Sequence, residues 1–202
     1  KACHGWDGKG LNGGYVRRTA KDTRPNPEVG GDLTAPDADL SLASVYNEGG
    51  RAFNTFDNTH PDYSVAEGLT DQQAENLVAF LEKGPKIGDF AEIDTTTDPV
   101  TYNFNNADVE NGSTLYKTKC LGCHGEAAAT TQTASGPELG TYFVKDGKYS
   151  EGFHKTVYGI LGTSMTREAM GELTGQEVAN ILAYIQYELE SEFNPDISKV
   201  DE

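Results

Sequence analysis

The sequence predicts an all-α protein of two similar domains, and three observations carry that reading. A thirteen-residue segment, Leu69 to Leu81, returns at Leu173 to Ile185 with five identities and several like-for-like apolar pairs. In both copies apolar residues recur at helical spacing, as in Leu77, Val78, Phe80 and Leu81, with Thr70 and Thr174 placed as N-caps. Hydrophobic residues make up only 36% of the 202, with 23 glycines, which is poor material for an independent protein core. A bound apolar group in each half would supply the missing interior, because small domains commonly need such a staple.

The stretch that organises the chain is Thr114-Leu115-Tyr116-Lys117-Thr118-Lys119-Cys120-Leu121-Gly122-Cys123-His124. Cys120, Cys123 and His124 form Cys-x-x-Cys-His, the c-type haem attachment pattern. Two thiols within one turn can form thioethers to both haem vinyls, while the adjoining imidazole reaches the iron. A bare Cys-x-x-Cys also serves thioredoxin-like redox sites and half of a zinc site. No βαβ pattern surrounds this one, and no second cysteine pair completes a tetrahedron.

With Gly136-Pro137-Glu138-Leu139, a short helix ending at Gly162, Met165 and the helix from Leu173 to Glu188, the C-terminal half resembles class I c-type cytochromes. The resemblance implies two cytochrome c-like domains, each wrapped around a covalently bound haem. The expected boundaries are 1–84 and 107–189, with a linker at 85–106 and an acidic tail at 190–202. It further implies His124 as one axial ligand, the Pro137 carbonyl as acceptor for its imidazole N–H, and Met165 as the opposite ligand. Met170 and His154 are the other candidates for that face. In such proteins the last helix crosses the N-terminal helix beside the haem, with Phe80 or Tyr184 packed in the crossing.

The first half departs from this pattern. Lys1-Ala2-Cys3-His4-Gly5 matches Cys123-His124-Gly125, so Cys3 and His4 read as the end of a second motif whose first cysteine precedes residue 1. Attachment through Cys3 alone is the alternative. Pro27 matches Pro137, Val45-Tyr46 matches Val157-Tyr158, and Gly50 matches Gly162. That register puts Phe53 where Met165 stands, and the first half contains no methionine. The loop that follows is longer than its counterpart and carries His60, the expected substitute ligand; a bis-imidazole iron would have the lower potential. An imidazole from elsewhere, His154, or an open iron are the alternatives. Arg17 and Arg18 are candidate partners for haem propionates, with Trp6, Tyr15 and Tyr46 nearby.

Residues 85–106 open with Pro85 directly after Gly84 and contain Thr95-Thr96-Thr97-Asp98-Pro99, a turn-rich composition. Their apolar members, among them Ile87, Phe90, Val100, Tyr102 and Phe104, predict a linker lying against a domain. The net charge of −16 leaves no cationic footprint for nucleic acid. No apolar run approaches bilayer-spanning length.

The function implied is electron transfer and not enzymatic catalysis: a dihaem relay, from the low-potential first haem to the Met-ligated second, between redox partner proteins. A small dihaem redox enzyme with an open first iron, and a homo-oligomer or extracellular cytochrome filament, are the other classes. Attachment of haem c takes place outside the cytoplasm, so a periplasmic or extracellular location and an export signal upstream of Lys1 are expected.

Overall fold

The computed structural model describes residues 4–17, 31–41, 51–52, 59–60, 69–126, 139, 142–143, 147–160 and 162–193; at 51–52, 59–60 and 189–193 it describes the backbone alone. The chain is mostly helical and divides into two compact units, residues 1–85 and 86–202.

In the first unit, residues 4–17 fold around the carboxylate of Asp7, which is 2% exposed. It accepts hydrogen bonds from the backbone N–H of Gly14 (2.7 Å) and of Lys9 (3.2 Å). The loop closes this tightly because Gly13 has no side chain; a Cβ there would sit 2.6 Å from both carboxylate oxygens. Burial raises the pKa of Asp7, partly countered by the two N–H donors. Two short antiparallel strands follow, β1 (Arg51–Ala52) and β2 (Thr59–His60), with Arg51 opposite His60.

Helix α1 (Asp71–Lys83) starts at Thr70, where the sequence places its cap. Thr70 and Gln73 form a reciprocal capping box, satisfying two of the donors that a helix start leaves open. In the second unit the matching helix, Gly175–Phe193, has the same box between Thr174 and Glu177.

The second unit begins with a 3-10 turn (Ile87–Asp89) and a hairpin of β3 (Glu92–Asp94) and β4 (Thr101–Asn103), with Ile93 opposite Tyr102. Residues read from the sequence as a linker are therefore an ordered hairpin belonging to this unit. Val100, Tyr102 and Phe104 are buried. The Tyr102 and Phe104 rings pack on Tyr149 at 5.3 and 6.0 Å, and the Tyr102 hydroxyl bonds that of Ser150 at 2.8 Å.

The helices are α2 (Val109–Lys119), α3 (Leu121–His124), α4 (Tyr149–Tyr158), α5 (Arg167–Met170) and α6 (Gly175–Phe193). Helix α6 places Val178, Ile181, Leu182 and Ile185 on one stripe, all at most 4% exposed. Burying each is worth on the order of 1.5–3 kcal/mol relative to exposure. Helix α6 packs chiefly on α2, where Gly112 lies against the backbone of Asn180 and Ile181. The Asn180 side chain accepts the Asp108 N–H (3.0 Å) and donates to Asn111 (3.1 Å). Tyr184 is buried with its ring 5.7 Å from that of Tyr116 on α2. In the first unit the matching Asn76 is exposed, although it accepts the same i,i+4 bond from Gln72 that Asn180 accepts from Gln176.

Two boundaries differ from the sequence reading. Helix α4 ends at Tyr158 and is capped by Gly159 (φ 75°), not at Gly162. Both glycines take positive φ, and Gly162 serves the loop beyond. Helix α6 continues to Phe193, so it includes the first residues of the expected tail; 194–202 lie outside the described residues.

Candidate functional site

The attachment motif is built as an extra helical turn at the end of α2. Cys120 closes α2, its N–H bonding the Tyr116 carbonyl at 2.8 Å. The Cys123 and His124 N–H groups both return to the Cys120 carbonyl, at 3.1 and 2.9 Å, and Gly125 (φ 70°) ends the turn. Residues four apart share a helix face, so Cys120 and His124 both line one cleft, while Cys123 is exposed. The Tyr116 hydroxyl donates to the Gly125 carbonyl at 2.8 Å, tying the motif back to α2.

Met165 lines the same cleft. Its loop is closed by its own backbone: the Ile160 N–H donates to the Met165 carbonyl (2.7 Å), and the Met165 N–H donates to the Thr163 hydroxyl (3.1 Å). That hydroxyl in turn donates to the Ile160 carbonyl at 2.8 Å. Gly159 lets the chain pass close to Arg167; a Cβ there would lie 2.7 Å from the Arg167 nitrogen. The other methionine, Met170, is buried at the end of α5. His154 packs its ring against Tyr158 at 4.9 Å and is not part of the cleft wall.

The cleft encloses a cavity of about 120 Å³ that opens to solvent. Its base comes from Ile181, Leu182 and Ile185 of α6, and a side wall from Leu139 and Phe143. Gly152 on α4 admits the Phe143 ring; a Cβ would meet it at 2.5 Å. Burial pushes the Cys120 thiol up to about 11 and raises Tyr116 as well. A desolvated thiol with such a pKa is a poor metal-binding thiolate at neutral pH. A thioether, which carries no titratable proton, suits the position. Two sulfur groups, one imidazole and an apolar lining therefore fit an apolar macrocycle with an axially ligated iron. The Nδ1 of His124 is buried; Pro137, the expected acceptor for it, lies outside the described residues.

In the first unit, His4 Nδ1 lies 2.7 Å from the Gly31 carbonyl oxygen. A carbonyl can only accept, so Nδ1 carries the proton and Nε2 keeps the lone pair needed to bind a metal. Pro27, which the sequence matches with Pro137, lies outside the described residues together with Cys3 and Arg18. Arg17 is described and exposed. His60 is described by its backbone in β2, and Phe53 is outside. Among the described residues no cluster of three or more His, Cys, Asp or Glu is placed to hold a metal ion.

Sequence reasoning missed the polar wall of the cleft, formed by Tyr142, Lys155 and Thr156. Lys155 follows Gly152 by three positions and Thr156 by four, so the helical register of α4 could have grouped them. Nothing local indicated that this face looked into a site.

No helix among the described residues is long and apolar enough to cross a membrane. No curated protein and no solved structure matches the chain. The family model described as Cytochrome c matches residues 1–85 and 109–187, most of the chain in two segments. The chain belongs to the cytochrome c family.

Proposed function

We propose that the chain is a dihaem cytochrome that passes single electrons between redox partner proteins. Members of the family bind haem c covalently and act in electron transfer, and cytochrome c domains are typically exported. The observation that carries the reading is the convergence of Cys120, His124 and Met165 on one apolar cleft. When bound, the haem supplies a reversible one-electron couple at iron.

In this proposal Cys120 and Cys123 would hold the haem covalently, and His124 and Met165 would ligate its iron. The closed loop from Ile160 to Met165 keeps the thioether sulfur in position before and after electron transfer. Leu139, Phe143, Ile181, Leu182 and Ile185 exclude water, which keeps the change of charge in a medium of low polarity. A thioether opposite an imidazole places this site at the higher potential.

The first site rests on His4, whose tautomer is set by Gly31. Cys3 is its attachment point, the Pro27 segment borders it, and His60 is its second axial ligand. Electrons run from this site to the second, and the protein works in the periplasm or outside the cell. A pyridine haemochrome assay with intact mass on protein from its natural source tests the count. Two covalent haems per chain are expected. One haem would leave His60 without a metal role and reduce the protein to a monohaem carrier.

A further inference from the structure

The cleft of the second unit is lined mostly by apolar side chains, with Tyr116 and His124 on the motif side and Tyr142, Lys155 and Thr156 as its other polar members. Lys155 is the only cationic side chain among the described residues that line it. A lysine is costly beside apolar surface unless its charge is met, and here the ammonium is met on one side. It lies 2.8 Å from Glu151, one turn earlier on α4, and 3.2 Å from the Tyr142 hydroxyl. Its side chain is 28% exposed. An ammonium has three N–H donors, and these two contacts use two of them.

Thr156 does not compete for the role, because its hydroxyl donates to the Gly152 carbonyl at 2.8 Å. Haem c has a vinyl edge, fixed by the cysteines, and an opposite edge with two propionate carboxylates. A carboxylate entering an apolar cleft needs a cation or donors. The geometry points to Lys155 as the side chain that binds a haem propionate and raises the potential of the second iron, with Glu151 opposing it. The inference rests on the proposal that this cleft holds haem.

The two ends of one ion pair should then act with opposite signs, which a purely structural pair would not do. Removing the lysine charge favours the oxidised, more positive iron; removing the glutamate charge favours the reduced one. The test is spectroelectrochemical titration of the holoprotein carrying Lys155→Gln, Glu151→Gln or Lys148→Gln. Lys148 has the same charge and sits 5.1 Å from the Tyr142 ring, but it does not line the cleft.

Lys155→Gln should raise the oxidised-to-reduced ratio at a fixed potential by about tenfold, which is 59 mV for one electron. Glu151→Gln should move it the other way, and Lys148→Gln should change it little because water screens an outlying charge. An unchanged potential in Lys155→Gln, or an equal shift in Lys148→Gln, overturns the assignment. If Lys155→Gln fails to accumulate, the absence of an upward shift in Glu151→Gln overturns it. A protein whose Cys120 and Cys123 carry no haem refutes the underlying reading instead, and the haemochrome assay on each variant separates the two failures.

Discussion

Replacing Gly112 by alanine should destabilise the second unit by an amount that can be worked from the helix crossing. The added Cβ would overlap the carbonyl oxygen of Asn180 and stand 2.5 Å from its carbonyl carbon and 3.1 Å from the Ile181 nitrogen. These are backbone atoms, so no rotamer change relieves the clash. Carbon atoms in contact prefer about 3.5–4.0 Å, so α2 and α6 must part by about 1 Å. Overpacking of this kind costs roughly 1–3 kcal/mol. The parting also stretches the bonds from Asp108 to Asn180 and from Asn180 to Asn111, each worth about 1 kcal/mol. Alanine returns about 1 kcal/mol through its better helix propensity. The net loss is about 2–3 kcal/mol, or a fall in Tm of roughly 8–12 °C for a unit of this size. Thermal unfolding of the holoprotein followed by far-UV circular dichroism measures it. A Gly112→Ala protein as stable as the parent would show that the helices do not cross at this closeness.

Three further outcomes are expected. Met165→Ala should abolish the iron–sulfur charge-transfer band at the red end of the oxidised spectrum, and Thr163→Val, which removes the hydroxyl bridging Ile160 and Met165, should weaken it; a full-strength band in Met165→Ala removes Met165 as ligand. In haem-free protein at mildly alkaline pH, a maleimide should label exposed Cys123 well before half-buried Cys120, whose thiol is pushed up to about 11, as read by peptide mass mapping; equal rates would place both thiols in the same environment. The backbone and hydroxyl donors of Thr174 hold Glu177 below the usual carboxylate range, so its contribution is present above the unfolded value of about 4.3 and is lost as pH falls through the lower folded value. Glu177→Gln should keep the capping box, as Gln73 does in α1, and lose that pH dependence. Urea midpoints at pH 7 and pH 3 should therefore fall more in the parent, by roughly a few tenths of a kcal/mol because the group is well solvated; parallel falls would contradict this.

The parts of the fold that were legible share one property: their interactions close within a few residues. Thr70 and Thr174 bond to residues three positions on, so the caps could be read from adjacent letters. The attachment motif is one turn, and its face is set by i,i+4 spacing alone. The end of α4 was less legible because Gly159 and Gly162 are both able to take positive φ. The choice is made by the bond between Ile160 and Met165, which needs Gly159 as the cap and leaves Gly162 inside the loop. The hairpin at 92–103 looked like a linker because its order comes from Tyr149 and Ser150, far along the chain.

By itself the sequence determined the helical turn at Cys120 to His124 and the repeated capped helix, since each follows from local spacing or from a pattern repeated along the chain. Tertiary structure alone decided that Gly112 meets Asn180, that the Gly31 carbonyl accepts a hydrogen bond from His4 Nδ1, and that Lys155 borders the cleft. The first two contacts join residues 68 and 27 positions apart, and the third depends on how α4 packs over the cleft. No local propensity encodes such contacts; they exist because buried backbone and polar groups must find partners once the apolar faces have closed.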